Sequence, residues 1–82
     1  MKRVTGIFTG KKLELEEFKN KEGKLKINLY ILSGHDSLKI TVNDNELWKE
    51  LKAVPDMENI ELKAEVQEYK GELYLQALEL VG

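Results

Sequence analysis

Residues 24–55, KLKINLYILSGHDSLKITVNDNELWKELKAVP, contain the sequence pattern that decides the fold. Apolar and polar side chains alternate through residues 24–32 and again through residues 38–42, with a turn signal at 33–36 between them. Alternation with a period of two is typical of a strand that buries one face. We therefore predict two antiparallel strands joined by a short turn.

The period changes at Asn43, where a short helix is predicted to begin. Asn43 is a favourable N-cap residue, and Glu46 three residues later completes the spacing of a capping box. Val42 and Leu47 have the spacing of a hydrophobic staple around that cap. Pro55 ends the pattern, because proline cannot continue a helix interior. The sequence thus predicts one helix of about ten residues.

Strand patterns also flank this region on both sides. The segments with period-two alternation are residues 11–19, 60–67 and 73–77, and further turn signals lie at 20–23 and 69–72. Residues 3–9 have a mixed β-type composition, and Gly6 and Gly10 mark points where a strand could bend or end. The phase of the alternation shifts near Leu78, which predicts a β-bulge or a barrel corner there. The predicted order is strand, strand, strand, helix, strand, strand.

This order predicts an all-β protein. Three antiparallel strands, one short helix and a final hairpin close most economically as a five-stranded Greek-key barrel, with the helix between strands 3 and 4, which is the plan of the OB-fold. Residues 1–82 are predicted to form a single OB-fold domain, because this length leaves little room for a second one. An SH3-like barrel is the main alternative. An α+β sheet is less favoured, because one short helix cannot cover five strands.

The composition excludes several classes of protein. The chain has no cysteine, so disulfides, Cys-based zinc sites and thiol chemistry are excluded. The longest uninterrupted apolar run, residues 29–32, is far too short to span a membrane. The N-terminal residues lack the apolar stretch of a signal peptide. We therefore expect a cytoplasmic protein with no membrane partner.

Motifs for catalysis and for cofactor binding are missing from the sequence. His35, Asp36 and Ser37 are consecutive, and consecutive residues cannot adopt the geometry of a catalytic triad. Glu14 and Glu16 share one strand face without a His or Asp cluster, so a solvated face is expected there rather than a metal site. Phosphate-binding loops and dinucleotide fingerprints are absent. The prediction is a protein that is not an enzyme and that uses no metal or cofactor.

The net charge of −2 conceals an uneven distribution along the chain. Residues 1–43 contain nine basic and five acidic side chains, a net charge of +4. Residues 44–82 contain four basic and ten acidic side chains, a net charge of −6. Such asymmetry indicates a basic face with an anionic partner.

Aromatic side chains are predicted on the outward face of the strands. Tyr30, Tyr69 and Tyr74 are out of phase with the apolar residues beside them, and Phe18 lies near the tip of the first hairpin. The lysines of the same strands and of the adjacent loops are Lys19, Lys21, Lys24, Lys26, Lys39 and Lys70. Rings that stack on bases and ammonium groups that follow phosphates are what sequence-tolerant binding of single strands requires.

The chain resembles small OB-fold single-stranded DNA-binding proteins of phage type, and it is similar in size and element order to the filamentous-phage gene V protein family. The resemblance rests on the sequences NKEGK at 20–24, LKITV at 38–42 and YKGELYL at 69–75. It implies that aromatic and basic residues of the sheet contact DNA. In this sequence those residues are Tyr30, Lys24, Lys26, Lys39, Tyr69 and Tyr74.

These observations predict a largely sequence-independent single-stranded DNA-binding protein, acting in phage or plasmid replication. RNA in place of DNA and a homodimer are open alternatives. A second hypothesis is a small barrel that serves as a protein-interaction module, a phage- or plasmid-type accessory or inhibitor protein that acts through its acidic face.

Overall fold

The computed structural model describes residues 2–81, and this part of the chain contains five strands and one helix. Their bounds are β1 Lys2–Lys19, β2 Leu25–Ser33, β3 Asp36–Val42, α1 Asn45–Lys52, β4 Asn59–Tyr69 and β5 Glu72–Leu80. The strands form a closed barrel in the order β1-β2-β3-β5-β4, with β4 pairing back to β1. Neighbours are antiparallel except β3 and β5, which are parallel. The predicted all-β barrel with a helix between the third and fourth strands is confirmed.

β1 is a single strand of 18 residues that pairs with two neighbours. Residues 2–11 pair with β4, and residues 11–19 pair with β2. Gly10 lies beside the point where the pairing of β1 passes from β4 to β2. The strand continues through Gly10 and does not end there. The register also shifts between Lys12 and Glu14. One continuous strand therefore closes the barrel.

Gly10 allows β1 to pass close to β2, and its replacement gives a first test of the fold. A Cβ atom on Gly10 would lie 2.5 Å from the backbone carbonyl oxygen of Leu32. We expect Gly10→Ala to lower the free energy of unfolding in urea by about 1–3 kcal/mol, because backbone atoms must move apart. Gly6→Ala is the matched control, since its Cβ would meet the Phe8 ring at an ordinary 3.7 Å. Equal losses in both variants would contradict the close approach.

The core lies inside the barrel and is closed at one end by α1. Its buried apolar residues are Ile27, Leu29, Ile31, Ile40, Val42, Leu47, Leu51, Ile60, Leu62, Ala64 and Ala77. The residues from β2, β3 and β4 are those that the alternation assigns to the inward faces. Trp48 of α1 is partly buried and packs against this cluster. The extra residue at Leu78 lies opposite the register shift between Lys63 and Ala64, so the predicted bulge is confirmed.

The helix begins one residue later than the sequence predicts. Asp44, with an extended backbone, is the N-cap, and its Oδ1 accepts hydrogen bonds from the backbone N–H groups of Glu46 at 2.8 Å and Leu47 at 3.4 Å. The predictions of Asn43 as the cap and of a staple between Val42 and Leu47 are therefore wrong. Asparagine and aspartate are equally good caps, so composition alone does not choose between adjacent positions.

Lys12 connects the end of α1 to β1. Its side chain is buried, and its Nζ donates to the backbone carbonyl oxygens of Leu51 at 2.9 Å and Val54 at 2.6 Å. Asp56 Oδ1 lies 3.6 Å from the same nitrogen. The last carbonyls of a helix have no partner within the helix and carry partial negative charge. Lys12 supplies positive charge and a donor at this end of α1, where the Leu51 carbonyl oxygen also accepts from the Val54 N–H at 3.2 Å and Val54 lies just beyond the helix.

Within residues 2–81, no helix is long and apolar enough to cross a membrane.

Candidate nucleic-acid interface

A groove lies over the outer face of β2 and β3, between the first and last hairpins of the chain. Its sheet side, here called the floor, consists of Phe18, Asn20, Lys26, Asn28, Lys39 and Thr41. Its other side, here called the hairpin wall, consists of residues 73–75 of β5. Four residues of the predicted site, Phe18, Lys26, Lys39 and Tyr74, therefore share one groove.

The pairing of β5 explains why the groove exists. β5 pairs with β4 over residues 72–80, but its pairing with β3 is limited to Gln76 and Ala77. Residues 73–75 therefore project beyond the point where β3 and β5 are joined. The space left between the two strands is the groove.

The strand register arranges the outer face of β1, β2 and β3 in three rows. The rows are Phe18 with Lys26, then Glu16 with Asn28 and Thr41, then Glu14 with Tyr30 and Lys39. The two floor lysines are thus separated by a row that carries no basic side chain. The face that the charge asymmetry predicts to be basic therefore also carries two acidic side chains, Glu14 and Glu16.

Phe18 and Tyr74 give the groove two accessible aromatic rings. Phe18 is 44% exposed on the floor, and Tyr74 is 50% exposed on the hairpin wall. A base that stacks on either ring removes apolar surface from water on both partners. The pair therefore provides two stacking positions on opposite sides of one groove.

Lys26 and Lys39 provide the positive charge of the floor. Both side chains are exposed, and neither forms an ion pair with any residue in the described part of the chain. Because no protein carboxylate neutralises them, their ammonium groups are available to phosphates.

Tyr74 is held by a neighbour on its own strand. Its hydroxyl donates to Glu72 Oε2 at 2.7 Å. This hydrogen bond, together with the charge of Glu72 and some burial, raises the pKa of the Tyr74 phenol above its ordinary value. The hydrogen bond to Glu72 also restrains the orientation of the Tyr74 ring.

Tyr30 has a different environment from the other two tyrosines. It lies on the outer face but is partly buried, and its hydroxyl donates to Glu16 Oε1 at 3.3 Å. Burial raises the pKa of the Tyr30 phenol, and the negative charge of Glu16 and the hydrogen bond to it add to this effect. Tyr30 does not line the groove.

The remaining predicted residues lie at the two hairpin tips. Lys19, Lys21 and Lys24 belong to the end of β1 and the β1–β2 turn, and Lys24 Nζ lies 3.9 Å from Glu22 Oε2. Tyr69 and Lys70 belong to the β4–β5 turn, where Lys70 Nζ lies 5.3 Å from the centroid of the Tyr69 ring. These side chains flank the groove and do not line it.

Sequence reasoning missed five groove residues: Asn20, Asn28, Thr41, Leu73 and Leu75. The alternation places Asn28 and Thr41 on the outward face, so a search for polar as well as charged and aromatic side chains would have found them. Leu73 and Leu75 follow the inward phase of β5. They reach the groove because the hairpin projects beyond the barrel, which the alternation does not indicate.

Solved structures with the same fold include single-stranded DNA-binding proteins. Two crystal forms of the mitochondrial single-stranded DNA-binding protein Rim1 from S. cerevisiae match with TM-scores of 0.81 and 0.82, at 17% and 18% identity. The matches cover 98% and 99% of this chain and 95% and 94% of those chains. At this identity the likeness shows the fold, which is the OB-fold.

A second kind of similar structure is a domain of a larger protein. The solution structure of the second OB-fold domain of replication protein A from Methanococcus maripaludis matches with a TM-score of 0.60 at 15% identity. The match covers 95% of this chain and 82% of that one. No protein-family model and no curated protein sequence matches the chain.

Proposed function

We propose that this protein binds single-stranded DNA with little dependence on sequence, without catalysing a reaction. The observation that supports this most directly is the groove, where two exposed rings and two unpaired lysines lie together. The solved structures named above include single-stranded DNA-binding proteins of the same fold, which adds support. Phage or plasmid replication is the setting that the resemblance to the gene V family favours.

In this proposal, different residues of the groove make the stacking contacts and the phosphate contacts. Phe18 and Tyr74 stack bases from opposite sides of the groove, while Lys26 and Lys39 contact phosphates. Every base has an aromatic face and every nucleotide has a phosphate, so these contacts accept any sequence. The lysines at the hairpin tips add attraction at longer range, which salt screens.

A salt titration tests the role of the floor lysines. With fluorescein-labelled oligo-dT, the double variant Lys26→Gln/Lys39→Gln is expected to bind more weakly. The slope of log K against log salt should also become less steep by about 1.4, since each phosphate contact on a single strand contributes about 0.7. Lys49→Gln is the matched control, because Lys49 lies on α1, outside the groove.

Two outcomes would contradict the proposal. An unchanged slope in the double variant would place the phosphates elsewhere on the protein. Absence of any binding by the wild-type protein at about 50 mM salt would overturn DNA binding and favour the protein-interaction hypothesis. Oligo-U of the same length in the same assay decides between DNA and RNA as the preferred strand.

A further inference from the structure

The middle one of the three rows on the outer face carries polar groups that stacking and phosphate contacts do not use. Glu16, Asn28 and Thr41 lie in register across β1, β2 and β3. Asn28 and Thr41 line the groove, and Glu16, which is partly exposed beside the lining and not part of it, accepts a hydrogen bond from Asn28. This row lies between the rows that hold Lys26 and Lys39. A DNA strand whose phosphates contact Lys26 and Lys39 therefore passes over polar side chains that are not basic.

Asn28 is a buried polar side chain on an otherwise accessible surface. It is only 5% exposed, yet it lines the groove. Its Nδ2 donates to Glu16 Oε1 at 3.1 Å. An ionised carboxylate only accepts hydrogen bonds, so this contact fixes which end of the amide points to Glu16. The side-chain carbonyl oxygen of Asn28 is then left as a hydrogen-bond acceptor in the lining of the groove.

Glu16 keeps accepting capacity after its contacts within the protein. Asn28 and Tyr30 both donate to Oε1, at 3.1 and 3.3 Å, and Oε2 is not used by either of them. Within residues 2–81, Glu16 takes part in no ion pair. A carboxylate that forms no ion pair and has an unused oxygen repels phosphates and keto oxygens and attracts N–H donors.

We propose that Glu16 and Asn28 form a base-reading site that favours bases with an exocyclic amino group over thymine and uracil. This inference rests on the proposed binding of single strands in the groove and adds a modest base preference to the contacts that accept any sequence. Cytosine presents an N4 amino donor at the position where thymine presents the O4 acceptor, and carboxylates accept from that amino group. Two protein acceptors therefore favour cytosine and disfavour thymine, although both bases stack and both strands have the same charge.

The test compares oligo-dC with oligo-dT of equal length at mildly alkaline pH, where cytosine is uncharged. The wild-type protein is expected to bind oligo-dC about fivefold or more tightly, the lower part of the discrimination that one base contact gives. Oligo-dU, which lacks the thymine methyl group, should bind like oligo-dT. Glu16→Gln should bring the dC-to-dT ratio close to one, because glutamine can both donate and accept.

Glu17→Gln is the matched control, because it removes the same charge from the adjacent residue of β1, which is exposed and has a different pairing position. It should change both affinities together and leave their ratio intact. Equal binding of oligo-dC and oligo-dT by the wild-type protein would overturn the base-reading site while DNA binding stands. An unchanged ratio in Glu16→Gln would overturn it too. Failure to bind either strand would overturn both this inference and the proposed function.

Discussion

Replacement of both Phe18 and Tyr74 by alanine is expected to weaken binding of oligo-dT by about 30-fold or more. Each stacked base contributes about 1–3 kcal/mol, and the two rings lie on opposite sides of the groove, so they serve different bases. Each single variant should lose about fivefold or more, measured by fluorescence anisotropy at one fixed salt concentration. Tyr74→Phe should retain most of the affinity, because it keeps the ring that stacks. It removes only the hydroxyl, which forms its hydrogen bond with Glu72 of the same protein.

Tyr69→Ala is the control for this experiment. Tyr69 is 54% exposed, close to the 50% of Tyr74, but it lies at the hairpin tip outside the groove. Its removal should cost much less affinity than that of Tyr74. If the two tyrosine variants weaken binding equally, or if the double variant loses less than about threefold, the stacking positions are not those of the groove.

Methionine in place of Lys12 is expected to lower the free energy of unfolding by about 1–3 kcal/mol. The side chains have similar length, so packing changes little. The Val54 carbonyl loses the Lys12 donor, and the Leu51 carbonyl is left with the Val54 N–H alone. A buried polar group left without its partner costs about 1–3 kcal/mol. The ion pair with Asp56 adds little, because that carboxylate is exposed. For a chain of this size the expected loss is a large part of a total of about 4–12 kcal/mol.

Urea denaturation measures this loss as a lower midpoint with an unchanged slope. Lys11→Met is the matched control, since Lys11 is the adjacent residue of β1 and its side chain is exposed. We expect its free energy of unfolding to change by about 0.5 kcal/mol or less. A Lys12→Met protein as stable as the control would show that the helix end does not depend on this lysine.

The sequence predicts the strands and the outward side chains of β2 and β3 because a period of two is a local property. Lys26 and Lys39 alternate with buried residues, so their place on the outer face follows directly. Their place in one groove depends on how far β5 pairs with β3, which is a property of the closed barrel. The place of Leu73 and Leu75 in the groove depends on the same pairing, so the alternation does not predict it either.

The contacts that sequence reasoning misses are those between distant segments. Tyr30 is on the predicted face, but its partner Glu16 is 14 residues earlier in another strand. Lys12 appears as one more polar position of β1, and its burial follows from the end of α1, which lies about 40 residues later in the chain. Alternation carries no information on such pairs, since register and helix placement determine them.

The projecting end of β5 links the groove to the internal motions of the protein. Residues 72–75 have a strand partner on the β4 side and are not paired with β3, so opening this end breaks fewer contacts than opening the rest of the barrel. Such segments fluctuate with a lower free energy than global unfolding requires. In the proposed complex, a DNA strand that packs against residues 73–75 would reduce those fluctuations, and the entropy lost would limit the affinity gained. The proposed binding would then also order the hairpin wall, and slower amide exchange along β4 and β5 is expected when the groove is occupied.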